Sequence, residues 1–113
     1  MLNITNNEIY ITRGDSAFIQ IQLLDNSGNA YIPVPGDKIF FRLKKNIFGN
    51  TLLLMKEVDP ETLTLELTPN DTSWLDFTLY RYEIELVTVD GKHFTVVDNT
   101  PFFVGVELEE QNG

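Results

Sequence analysis

Cysteine is absent from this 113-residue chain, which removes disulfides, thiolate metal sites, iron–sulfur clusters and cysteine nucleophiles. Histidine occurs once, at His93, and tryptophan once, at Trp74. A zinc site would therefore need three carboxylates beside His93, an uncommon donor set. Positive charge is also scarce: eight Lys and Arg stand against seventeen Asp and Glu, leaving a net charge of −9. That sign opposes a phosphate backbone and an anionic lipid surface alike, so neither nucleic acid nor membrane is expected as a partner. The densest apolar run, Leu52-Leu53-Leu54-Met55, is far shorter than the ~20 residues that cross a bilayer. The opening Met1-Leu2-Asn3-Ile4-Thr5-Asn6-Asn7 lacks both the basic and the apolar region of a secretory leader.

What is present is core material. Apolar residues make up 42% and aromatics 12% of the chain, enough for one domain over residues 1–113. The dominant period is two. Ala17, Ile19, Ile21 and Leu23 alternate with Phe18, Gln20 and Gln22, and Ile39, Phe41 and Leu43 with Phe40, Arg42 and Lys44. Leu63, Leu65 and Leu67 repeat the pattern, and Tyr80, Tyr82, Ile84 and Leu86 carry it furthest. Weaker strands fit residues 8–12, 51–58, 93–97 and 102–108. Turn formers separate them, among them Arg13-Gly14-Asp15, the Asp25–Asn29 stretch, Pro35-Gly36-Asp37, Phe48-Gly49-Asn50, Asp59-Pro60 and Asp90-Gly91.

Short strands at this spacing, with no helical period between them, predict an all-β fold. We expect an immunoglobulin-like antiparallel β-sandwich of about seven or eight strands; a small closed barrel is the alternative. One helical turn is expected over residues 68–75, with Thr68 as cap, Pro69 opening the turn and Asp71 at N3. It would carry the chain between the two sheets. The expected core holds Ile19, Ile21, Ile39, Phe41, Leu65, Leu67, Tyr82, Ile84, Leu86 and Phe94. If Leu86 and Phe94 face each other, the loop between them must be Val89-Asp90-Gly91, closed by Thr88 and Lys92, with Gly91 left-handed. A tyrosine corner is expected at Tyr80 or Tyr82. Residues 107–113 read as an acidic tail.

No catalytic constellation emerges. His93 sits in a strand pattern, and none of Ser16, Ser27 or Ser73 lies in a nucleophile elbow. The expectation is a protein that is not an enzyme, with no catalytic, cofactor-binding or metal residues and no cofactor. The turn aspartates are what local backbone capping demands; a calcium site in the Asp25–Asn29 loop is the sharper alternative, without the EF-hand order of ligands. Arg13-Gly14-Asp15 spells an adhesion tripeptide, but Gly and Asp are also what a tight turn needs. Phe18 and Phe40 occupy the polar phase of their strands, which makes them the candidate protein-interface residues.

The segment Ile11-Thr12-Arg13-Gly14-Asp15-Ser16-Ala17-Phe18, the strand Lys38-Ile39-Phe40-Phe41-Arg42-Leu43-Lys44-Lys45, the stretch Leu65-Glu66-Leu67-Thr68-Pro69 with Asp71 and Thr72, the alternating Tyr80, Tyr82, Ile84 and Leu86, and the Asp90-Gly91 turn together form a pattern. Across residues 8–108 it resembles immunoglobulin-like structural domains of tailed phages and prophages, notably the N-terminal domains of baseplate upper proteins. The resemblance implies a non-catalytic structural or assembly role. The implied partners are other phage structural proteins or further copies of the chain. The implied location is the virion, or the bacterial cytoplasm before assembly. It departs from antibody domains in lacking paired cysteines and in placing Trp74 in the helical turn. A carbohydrate-binding or cell-surface adhesion module of the same fold is the alternative function.

Overall fold

The period-two segments become strands, and the computed structural model describes residues 2–5, 7–25, 27–45, 51–76 and 78–105. Along the chain these are β1 (Leu2–Thr5), β2 (Glu8–Thr12), β3 (Ala17–Gln20), β4 (Lys38–Lys44), β5 (Leu52–Val58), β6 (Thr64–Leu67), the helical turn α1 (Pro69–Thr72), β7 (Leu79–Val87) and β8 (His93–Gly105). They form a six-stranded sheet in the order β1-β2-β8-β7-β4-β5 and a two-stranded sheet of β3 and β6. The apolar positions of both sheets meet in one core, which makes the fold an all-β, immunoglobulin-like sandwich. The turn expected at residues 48–50 and the acidic tail at 107–113 lie outside the described residues.

Three details differ from the expectation. The sandwich is not wholly antiparallel, because β2 runs parallel to β8, with Ile9 opposite Phe102 and Ile11 opposite Val104. Strands so far apart in sequence need no tight turn between them, which leaves a parallel pairing open. The two strands expected at residues 93–97 and 102–108 are one over the described residues: β8 runs unbroken from His93 to Gly105, and residues 106–108 lie outside the described residues. The polar, proline-containing stretch Asp98–Pro101 reads as a break, but the strand absorbs it through register shifts against β7, with Asn99 at φ 41°. Finally, β1 is an added strand, too short to display a period of its own.

The register expected at the β7–β8 hairpin is present. Leu86 lies opposite Phe94. Thr88 N–H bonds Lys92 O at 2.8 Å, Gly91 N–H bonds Thr88 O at 2.9 Å, and Gly91 has φ +89°. A second local device ends the β6–α1 connection. Thr68 N–H donates to Asp71 Oδ2 at 2.7 Å, and Lys56 Nζ reaches the same oxygen at 2.8 Å, tying α1 to β5. Burial alone would raise the Asp71 pKa; the Lys56 and Thr68 bonds outweigh it, and the net shift is downward.

Of the expected core, Ile19, Ile21, Ile39, Phe41, Leu65, Leu67, Tyr82, Ile84 and Leu86 are buried. The Phe41 ring lies 5.4 Å from that of Tyr82 and 5.9 Å from that of Phe102, in the middle of the sandwich. Phe94 is the correction: it faces inward yet is 50% exposed. A sheet of only two strands is too narrow to reach across the wide sheet to that part of β8. The tyrosine corner belongs to Tyr80, whose hydroxyl accepts from Asp76 N–H at 2.8 Å and points its proton to Asp76 O at 3.4 Å. Tyr82 instead donates to the Asn7 carbonyl across the core.

Candidate functional site: an open apolar cleft

The mismatch in sheet width leaves a cleft of about 770 Å³ between the sheets. Its floor is the inner face of the wide sheet, where Ile9, Tyr82, Ile84, Leu86 and Phe94 line up because their strands alternate in register. Its wall is the small sheet, with Ile19 and Ile21 from β3 and its continuation and Leu65 from β6. Leu23 and Leu24 close one end, where the chain doubles back at the Leu24–Ala30 bridge.

The cleft is suited to apolar groups. Among the described residues that line it there is no Lys, Arg, His or Ser, and Asp25 is the acidic one. Asp25 is already used: its Oδ1 accepts from Ser27 N–H at 2.8 Å and Asn29 N–H at 3.0 Å. That is backbone capping, the plainer of the two readings of this loop. Both lining tyrosines have committed hydroxyls. Burial pushes the Tyr82 pKa up to about 12, so the proton stays on its hydroxyl, donated to the Asn7 carbonyl. Tyr31 donates to Asp37 Oδ2 at 2.6 Å, and that bond raises the Tyr31 pKa. Aromatic rings with free polar handles, as a sugar platform would present, are therefore not what this cleft offers.

Asp37 is a residue that the sequence marks only as a turn former. It is 3% exposed and ties three segments together. Its Oδ2 takes Tyr31 OH and Val34 N–H, and its Oδ1 takes Val89 N–H at 3.0 Å from the tip of the β7–β8 hairpin. The Tyr31 bond and the Val34 and Val89 amides hold its pKa below the ordinary carboxylate value against the upward pull of burial. Asp37 thus joins the loop before β4 to the hairpin tip, beside the cleft that Tyr31 and Thr88 line.

Phe18 and Phe40 are not brought together. Each points away from the core, Phe18 from the small sheet and Phe40 from the wide one, so they occupy opposite outer faces of the sandwich. Phe18 is 65% exposed and lies opposite Glu66. Phe40 is half-buried under the Arg42 guanidinium, 5.4 Å from its ring centroid. The wide sheet carries its own outer aromatic pair, Tyr10 stacked on Phe103 at 4.7 Å with Leu79 alongside. His93 opens β8 in solvent, 3.3 Å from Glu85 Oε2, while Arg42 holds the other oxygen of that carboxylate at 2.9 Å. The Arg13-Gly14-Asp15 turn is part of the frame: Gly14 N–H donates to the fully buried Thr72 at 2.9 Å, and Arg13 reaches the Leu75 carbonyl.

No protein-family model, curated protein or solved structure matches the chain.

Proposed function

We propose that this chain is a non-catalytic assembly module that binds another protein through the cleft between its sheets. The observation that carries the reading is Phe94, an inward-facing aromatic left half uncovered in an apolar cleft where Asp25, the charged residue among the described lining residues, already caps its own loop. Large apolar surface of that kind is stabilised by being covered, and desolvated aromatics are the usual anchors of protein interfaces. The narrower reading, a tail or baseplate component of a phage or prophage acting in the virion, draws on the sequence resemblance over residues 8–108. The net charge of −9 keeps separate copies apart in solution while leaving a largely apolar cleft open to a partner.

The test is light scattering of the wild type and a Phe94→Asp variant, each mixed with the proteins encoded beside its gene. A complex that forms with the wild type and is lost in the variant is expected. A wild type that stays uncomplexed with all of them, or a complex indifferent to the variant, contradicts the reading.

A further inference from the structure

The cleft has a second property that its apolar lining does not require. Along it runs the free edge of β3, whose neighbour is β6 on one side and nothing on the other among the described residues. Backbone N–H groups of a strand point alternately to its two sides. Ile21 N–H donates to Leu63 O, toward β6, at 2.8 Å. Two-residue periodicity then turns the N–H and C=O groups of Phe18 and Gln20 outward, to the open edge. The sequence from Ala17 to Leu23 has no charged residue, no proline and no glycine. Those are the devices by which edge strands ordinarily discourage pairing.

The open stretch of β8 that borders the cleft is protected. Between its first residues and Phe102, where pairing with β2 begins, β8 is distorted by register shifts and by Asn99 at φ 41°. Bulges of that kind twist an edge away from a regular partner. Of these two edges, that of β3 pairs with β6 in unbroken register and carries none of those protective residues.

We infer that β3 accepts an extended segment of a partner protein as an additional strand, paired with the backbone of Phe18 and Gln20. Alternate side chains of that segment fill the cleft between Ile21 and Phe94. This inference rests on the assembly reading and specifies its mode. Strand addition derives affinity from main-chain bonds and specificity from alternate side-chain pockets. The segment is therefore apolar at every second position. Its flanks carry Lys or Arg, because the chain has a net charge of −9 and the cleft rim offers Asp25 with no basic residue. The same charge disfavours a second copy as the occupant, since two such chains repel. The inference also gives Phe18 a use: at 65% exposure beside the edge, it meets the outward residues of the added strand.

The experiment pans a random twelve-residue display library against the immobilised chain, then studies the best free peptide by hydrogen exchange. Enriched sequences should alternate apolar and polar residues and carry basic flanks. On binding, the amides of Phe18 and Gln20 should gain at least tenfold protection, a readout that needs no variant. Gln20→Pro removes an outward N–H, leaves the backbone bonds to β6 in place and loses the Gln20 side-chain bonds to Thr62 and Thr64, and should weaken the peptide at least tenfold. Gln20→Ala, which loses the same side-chain bonds but keeps the N–H, should not. No enrichment, enrichment of sequences without alternation, or binding with no added protection at Phe18 and Gln20 overturns the inference. If a full-length partner binds the wild type and Gln20→Pro equally, strand addition falls and the assembly reading survives. If the chain's own β3 sequence emerges as the enriched motif, the occupant is a second copy and the partner-protein inference is wrong.

Discussion

Val89 donates its N–H to Asp37 Oδ1 at 3.0 Å, joining the tip of the β7–β8 hairpin to the loop that precedes β4, 52 residues earlier in the chain. The same carboxylate receives Tyr31 and Val34 through its other oxygen. Asp37→Ala leaves three part-buried donors, Tyr31 OH and the Val34 and Val89 amides, without their acceptor. It should cost about 2–4 kcal/mol, read as a shift in the urea midpoint with an unchanged slope.

This carboxylate also sets a pH dependence. Its folded pKa is lowered, as is that of Asp71, so each contributes stability that is present above the ordinary unfolded value and is lost as pH falls through the folded one. The melting temperature should hold steady above about pH 5 and fall as pH drops below about 4. In Asp37→Asn that acid-side fall should be shallower, since one of its sources has been removed.

Two left-handed glycines should answer differently to the same substitution. A Cβ on Gly36 would lie 2.6 Å from Val89 Cγ2, whereas one on Gly91 meets nothing within 4 Å. Both positions carry the backbone penalty of about 1–2 kcal/mol for a left-handed alanine. Gly36→Ala should cost measurably more than Gly91→Ala in chemical denaturation, because it must also push the two loops apart.

Leu86 and Phe94 are opposite one another in register but not equivalent in energy. Leu86→Ala removes a side chain that is 6% exposed and should cost about 2–4 kcal/mol. Phe94→Ala, at a residue already 50% exposed, should cost less than about 1 kcal/mol. Equal losses would mean that Phe94 is covered in the free protein.

That pair also marks where sequence reading stops. Its register follows from loop arithmetic, since only the three-residue Val89-Asp90-Gly91 connection puts Leu86 against Phe94. Its burial does not, because that depends on how far the opposite sheet extends. Tyr80 and Tyr82 share one face and one period, so spacing could not choose between them; the choice was made by the reach of Tyr80 back to Asp76. The outward phase of Phe18 and Phe40 was legible, but each lies on a different sheet, and no local pattern reports which outer face a strand will join. Asp37 carried a turn signal, while its bond to Val89 belongs to the packed fold alone. The cleft itself has no sequence signature, because it is made where no third strand among the described residues stands beside β3 and β6.

The most direct test of the account is methyl NMR of the chain titrated with a partner protein identified by light scattering. Binding through the cleft predicts that the shifted methyl signals gather at Ile21, Leu23, Leu86 and Val96, all of which line it. Shifts confined to Leu79 and Met55, away from the cleft, would mean that the partner docks elsewhere on the molecule and that the cleft is not the binding site.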